Sequence, residues 1–469
     1  MSFFTGLRLG ASVVVLVGLS VSGVQAESLK AALTAAYAHN PTIQSALYAV
    51  KVAAENIALQ KAGTRPQIGV GTSLTDSFAT TSAGIAHQPK ASVGLTYQQT
   101  LYDSHKTDAE VEAARAQVEV ANQGLRTTEA NALLSVVQAY MNVILNTQLV
   151  QLRSDTVQFY QSQVKASQDR QNIGEGTKID VAQAQASYAS AVAGQKAAIA
   201  ALQSAQASYV QWVGHKPRNL SSDFNYGSLI PASVDRALAL AASRNPTVLG
   251  ARASIRAARA AAIAAADAFG PSVTATGSVG PTISATCIGA SCGTGTAAAL
   301  AGQVGLSFSL PLYAGGALGA AQRQAELNAI KSGVDEQATL QQVNQQVVTA
   351  WSTLQNAAAQ IESANTAVQA GDLALQGVIQ ERDVGQKTTL DVLNQEATLE
   401  TSKEALISAN ANKVIAAFTL IAQEGRLTAA DLRLGTPTKS ARAYIEEVED
   451  TWEEVRSFAP MPRPTWRHH

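Results

Sequence analysis

Bulky and charged side chains are scarce in this sequence: aromatics account for 5% of residues, and Asp, Glu, Lys and Arg together for 15%. A thick globular core is therefore short of anchors, whereas long helices rich in Ala, Gln and Val can approach one another closely. A formal charge of −1 gives no reason to expect nucleic acid as a partner. The histidines, His39, His87, His105, His215, His468 and His469, are scattered, and no helical pair has metal-ligand spacing. GASCGTGT (289–296) has glycines but no Gly-Lys-Ser/Thr, so it makes no phosphate cradle. No Ser or Cys stands in a nucleophile elbow. The expectation is a protein that is not an enzyme and uses no cofactor. Two cysteines, Cys287 and Cys292, stand close together in CIGASC. In an oxidising compartment they form a candidate short-loop disulfide; the alternative is a reduced pair in a flexible loop.

Long hydrophobic runs are missing as well, except at the start. Residues 1–26 read as a signal peptide, with Arg8 before an apolar stretch from Leu9 to Val21 and a small-residue cleavage site at Val24-Gln25-Ala26. The apolar stretch is shorter than the roughly 20 residues that span a bilayer. Glu27, not Cys, follows the cleavage site, so no lipidated N-terminus is expected. No later segment reads as a transmembrane helix. A membrane role would then fall to strands.

What the chain does contain is a tandem repeat. NIGEGTKIDV (172–181) returns as DVGQKTTLDV (383–392), with Gly174 and Gly385 standing 211 positions apart. The pairs Leu101-Tyr102 and Leu312-Tyr313, Ala139-Tyr140 and Ala350-Trp351, and Gly214 and Gly425 keep the same spacing. Earlier, Asn40-Pro41 and Asn245-Pro246, like Pro66 and Pro271, stand 205 positions apart. The second half therefore gains six residues between Pro271 and Leu312, around the cysteine pair, which marks a free loop. Residues 27–232 form one structural repeat and 233–435 a second. A tail, 436–469, carries an acidic short helix and a Pro-rich end.

Periodicity changes in the same order within each repeat. A helical stretch follows the Asn-Pro cap and ends before Pro66 or Pro271. Next, Ile68, Val70, Thr72 and Leu74 alternate with Gly69, Gly71 and Ser73, and Ala91, Val93, Leu95 and Tyr97 with Ser92, Gly94 and Thr96. This is a strand hairpin at about 67–100 with one apolar face; its counterpart lies at about 272–309. About 70 proline-free residues follow in each half, on the order of 100 Å as a helix, a length that implies coiled-coil packing. The repeated Gly-x-x-Thr is then a turn between two long helices, with tips at 173–177 and 384–388. Gly174 and Gly385 leave the helix, Thr177 and Thr388 cap the next one, and Asp180 and Asp391 meet its N-terminal dipole. Four strands of about ten residues can cross a bilayer but cannot close a barrel, which begins at about 8 strands, so the chain pools strands with copies of itself or keeps its sheet out of the membrane.

From about Glu27 to Leu434 the sequence resembles the TolC-like outer-membrane efflux proteins. The resemblance rests on the two Asn-Pro entries, on Leu-Tyr-Asp (101–103) and Leu-Tyr-Ala-Gly-Gly (312–316), and above all on the doubled tip motif. The wording of the second tip and the absent lipidation Cys are similar to the type I secretion branch. The resemblance implies a mixed α and β protomer that trimerises, its four strands per chain joining a twelve-stranded outer-membrane barrel continuous with a twelve-helix periplasmic α-barrel. It implies export of proteins, small toxic compounds or both, in outer-membrane lipid, with a periplasmic adaptor (membrane fusion protein) and an inner-membrane ABC or proton-driven exporter as partners. It places a periplasmic gate at Asp391, Asn394, Lys387 and Asp180, and a candidate cation ring at Asp391. Asn394 stands where the family has a second acidic residue, and Lys387 where it has an arginine, which removes a bidentate fork. Adaptor docking falls to Gly174, Glu175, Gly176 and Thr177, and to Gly385, Gln386, Lys387 and Thr388. The alternative is a soluble periplasmic coiled-coil adaptor or scaffold of an envelope complex.

Overall fold

A computed structural model describes residues 26–82, 84–222, 226–285, 287–288, 291–292 and 297–452. The expected signal peptide, apart from Ala26, lies outside the described residues, as does the Pro-rich end with His468 and His469. The side chains of Cys287 and Cys292 also lie outside them, and with them the candidate disulfide.

The first half runs α1 (Leu29–His39), α2 (Pro41–Lys61), β1 (Gln67–Thr81), β2 (Gly84–Tyr102), α3 (Lys106–Asn172) and α4 (Lys178–Val213). The second runs α5 (Val234–Arg244), α6 (Pro246–Asp267), β3 (Ser272–Ser284), β4 (Cys287–Ile288), β5 (Ser291–Cys292), β6 (Ala297–Ser309), α7 (Ala317–Asp383) and α8 (Thr389–Gln423); α9 (Arg442–Glu449) ends the described chain. Local chemistry sets the boundaries. The side chain of Asn40 accepts from the Thr42 N–H at 2.8 Å with Pro41 at the first helical position, and Asn245 does the same for Thr247 at 2.8 Å. Each long helix, α3 and α7, has 67 residues, about 100 Å.

The sheet is antiparallel in the order β1-β2-β3-β6. Its strands have 15, 19, 13 and 13 residues, longer than the ten expected. The cysteine segment is likewise not a free loop. Its backbone forms the short β4–β5 pair, and β4 pairs with Ala86 and His87 of β2, whose longer hairpin extends beyond β3 and offers it open hydrogen-bonding groups. The register sorts side chains cleanly by face. Rows such as Ile68–Tyr97–Gly277–Val304 and Leu74–Ala91–Ile283–Ala298 make one face, on which Val304 is 93% and Leu74 82% exposed. Rows such as Gly69–Thr96–Ser278–Gln303 and Ser73–Ser92–Thr282–Ala299 make the other. On this small, polar face Gly94 and Gly280 let β2 and β3 press together: a Cβ on Gly280 would lie 2.0 Å from the Val93 carbonyl oxygen.

The apolar core lies in the helices near the sheet-distal part of α2 and the middle of α3, where Leu133, Val136, Val137 and Tyr140 meet Leu33, Tyr37, Tyr209 and Ile421. One expectation needs correction here. Windows of α3 and α8 reach mean hydropathies of 1.3 and 1.5, enough by length and composition for a membrane span. Of these windows 39% in α3 and 50% in α8 is buried, and residues such as Leu133 and Val137 of α3 and Val414 and Ile421 of α8 lie in the core, so core packing accounts for part of the hydropathy. The described part of the tail, up to Trp452, is fastened to the first half. Tyr444 donates to Glu55, Arg115 pairs with Glu449, Lys61 lies 3.2 Å from both Glu449 and Asp450, and the Arg65 guanidinium stacks 4.7 Å from the Trp452 ring.

Candidate functional site

At the far end of the long helices, two turns repeat one geometry. Gly174 and Gly385 take φ of 84° and 81°, a left-handed conformation that a side chain would strain although the space around each is open. The N–H groups of Glu175 and Gly176 donate to the Arg170 carbonyl at 2.9 and 3.1 Å, while those of Gln386 and Lys387 donate to the Glu381 carbonyl at 2.8 and 3.3 Å. Each turn then closes in a capping box. The Asp180 N–H donates to Thr177 Oγ1 at 3.2 Å, and Asp180 Oδ2 accepts from the Thr177 N–H at 2.9 Å. The Asp391 N–H donates to Thr388 Oγ1 at 3.2 Å, and Asp391 Oδ2 accepts from the Thr388 N–H and hydroxyl, both at 2.8 Å. The Thr177 hydroxyl and N–H hold the Asp180 carboxyl below the usual carboxylate range, helped by Arg170. The Thr388 N–H and hydroxyl do the same for Asp391, with Lys387 nearby. Both carboxylates are thus anionic helix starts, and each engages Thr through one oxygen. Asn394 lies one turn further along α8, exposed.

The structure brings the two tips side by side. Arg382 donates to Gln163 Oε1 at 2.7 Å, Arg170 donates to the Arg382 carbonyl at 3.3 Å, and the Tyr160 hydroxyl donates to the Leu393 carbonyl at 3.3 Å. These links tie the α3–α4 hairpin to the α7–α8 hairpin just above the turns. Asp180 and Asp391 stay in their own capping boxes, and no hydrogen bond or ion pair joins them among the described residues. Sequence reasoning missed a charged seam higher up. Arg153 of α3 pairs with Glu400 and Glu404 of α8, and Glu396 is buried one turn below them. Burial raises the Glu396 and Glu404 carboxyls above the ordinary range. The spacing of Glu396, Glu400 and Glu404 at every fourth residue is the signal that could have revealed one acidic face.

At the opposite end stands the sheet, with its exposed apolar face and its face of Gly, Ser, Thr and Gln. The profile of one family, "Outer membrane efflux protein", matches residues 32–215 and 237–426, once in each half. The chain belongs to the outer membrane efflux protein family. It is 32% identical over 452 residues to outer membrane efflux protein BepC of Brucella suis biovar 1 (strain 1330), covering 96% of this chain and 97% of BepC. It is 28% identical over 435 residues to outer membrane protein TolC of Escherichia coli (strain K12), covering 89% of this chain and 87% of TolC. The fold is shared with CusC, solved to follow changes accompanying folding and transmembrane channel formation, at a TM-score of 0.71, 20% identity and coverage of 84% and 91%. As a family member, the protein is an outer-membrane efflux channel whose long helices extend on the periplasmic side. The family and the exposed apolar sheet face both weigh against a soluble adaptor.

Proposed function

We propose that three copies of this chain close one duct, a twelve-stranded barrel in the outer membrane joined to a periplasmic helical tunnel. The observation that carries this reading is the four-stranded sheet with an exposed apolar face, a small polar face, and no further strand beyond β1 or β6 among the described residues. Thirteen residues of strand reach about 40 Å, more than the roughly 30 Å hydrocarbon core, and open edges are not tolerated there. Internal pseudosymmetry supports one arrangement of the copies. Within one chain, β2 pairs with β3, and α6 packs between α3 and α7. The equivalent neighbours of β1 and α2 are missing, so β6 and α7 of the next copy supply them. Tyr48, Val52 and Leu59 of α2 and Leu327, Ile330 and Val334 of α7 are accordingly exposed in the single chain.

The tips are the periplasmic mouth in this reading. Residues Gly174–Thr177 and Gly385–Thr388 dock a periplasmic adaptor coupled to an inner-membrane exporter, and the cargo is protein, small toxic compounds or both. Asp391, through the oxygen that Thr388 leaves free, forms a ring of three carboxylates that attracts cations; Lys387, Asn394 and Asp180 border it. Planar-bilayer conductance of the Asp391→Asn trimer tests the gate: loss of cation preference and of block by multivalent cations is expected, and wild-type selectivity would reduce Asp391 to its capping role. Gly385→Leu, with the trimer retained, should lose in-cell cross-linking to the adaptor. Normal cross-linking would remove the tips from docking.

A further inference from the structure

The polar face of the sheet carries one charge. Along β1 it presents Gly69, Gly71, Ser73 and Thr75, along β3 Thr276, Ser278, Thr282 and Ser284, and along β6 Ala299, Gln303 and Ser307. On β2 the same parity gives Ser92, Gly94, Thr96 and Lys90. Lys90 stands in the row Thr75–Lys90–Ser284–Ala297, at the end of the β3–β6 ladder furthest from the helices. Its side chain is exposed, and no hydrogen bond or ion pair engages its ammonium among the described residues. It also lines the groove on this face, together with Ser73, Ser92, Thr276 and Gln303. The acidic group nearest in register, Asp76, belongs to the other face, where His87 lies 3.3 Å from it. It therefore does not neutralise Lys90. Leu74, Ala91 and Ile283 form the neighbouring outward row, and Asp76 and Pro89 the next, where a carboxylate and a proline interrupt the outward apolar face before Phe78 and Ile85 resume it.

We propose that Lys90 forms a cationic ring just inside the exterior end of the bore and binds multivalent anions there. The proposal rests on the trimeric-duct reading, which turns this face inward and brings three copies of Lys90 around one axis. Ammoniums in a narrow passage walled by uncharged side chains and lipid focus their field on the lumen and hold a polyanion more strongly than separate surface lysines would. A ring of lysines is a recognised basis for anion and phosphate preference in pores. The duct then carries fixed charges of opposite sign at its two ends, Asp391 at the periplasmic mouth and Lys90 at the exit.

The test is planar-bilayer conductance of the full mature protein with sodium tripolyphosphate added from the side of the sheet. Wild-type channels should be blocked, less so as salt rises. The half-blocking concentration should rise about tenfold or more in Lys90→Gln and stay within about twofold in Lys90→Arg. Lys90→Gln channels of ordinary conductance that are blocked like the wild type would overturn the proposal while leaving the duct intact. A different result would overturn the duct itself: no channel formation by the wild type, or a Lys90→Cys protein that lipid-soluble maleimide labels and a charged methanethiosulfonate does not, measured against the wild-type cysteine background. The proposal would fall with it.

Discussion

Helices α3 and α7 have the same length and the same place in their halves, yet their burial differs sharply. The first buries side chains from Thr107 to Val143 and again from Thr156 to Ser167, while α7 buries only Val343, Val347, Ala350, Leu354, Ala357 and Leu375. The difference is in their neighbours. Helix α3 packs against the short α1 and against α2, α4, α6 and α8, whereas α7 has the short α5 and only α6 and α8. A repeated sequence thus makes a repeated helix, but not a repeated environment. The exposed side of α7 lies at the same edge as the unpaired strand β6, where the proposed trimer would place a second chain.

A second pair of equivalent positions differs in chemistry. Val213, before Gly214, is buried in the first half; in the second half Glu424, before Gly425, is fully buried. Neither Glu424 oxygen makes a hydrogen bond, and Arg426 approaches no closer than 3.5 Å. Burial pushes this carboxyl up to about 7, Arg426 opposing the shift.

The largest expected effect is in the crowded helix. Leu133→Ala in α3, where the side chain is fully buried, should lower unfolding stability by about 2–5 kcal/mol in a urea titration. A loss well under 1 kcal/mol would mean that α3 is not the structural spine. Next comes the buried carboxyl. Its folded value lies above its unfolded one, so the folded chain holds the extra proton. The contribution of this group to stability should be greatest in acid and fall by roughly 3 kcal/mol as pH rises from about 4.5 through 7. Glu424→Val, which copies the first half, should remove that slope and raise the melting temperature at pH 8. An unchanged slope would place the proton elsewhere. In α7, Ile330→Ala should leave the fold of a single chain intact but weaken assembly by on the order of 1–2 kcal/mol per interface, read as earlier dissociation of the oligomer on heating in detergent. Equal persistence of variant and wild-type oligomer would leave α7 facing solvent. Smallest is the cap: Thr177→Ala should fray the start of α4, costing about 1 kcal/mol, seen as faster amide exchange at Ile179 to Val181. Unaltered exchange there would argue against the capping box.

Much of this was legible in the sequence because it is local. The Asn-Pro caps, the tip glycines, the Thr-x-x-Asp boxes and the alternation of Ile68, Val70 and Leu74 with Gly69, Gly71 and Ser73 depend on residues a few positions apart. What escaped depends on distant partners. Lys61 meets Glu449, Arg153 meets Glu400, and β4 finds the far end of β2, pairings that no local period announces. The sequence reading also passed over how apolar α3 and α8 are: residues such as Leu133 and Leu420 lie in a core, and hydropathy alone does not distinguish a core from lipid. At the candidate gate, the positions of Asp391 and Lys387 could be read from the tip motif, but the engagement of Asp391 Oδ2 by Thr388 required the turn to be built.

In the proposed duct the open edges of β1, β6, α2 and α7 are closed by copies of the same chain. Native mass spectrometry of the mature protein, released from outer membranes in detergent, tests this most directly. A complex with the mass of three chains is expected, persisting until the detergent or voltage is harsh enough to unfold it. A stable, folded monomer under gentle conditions would contradict the account.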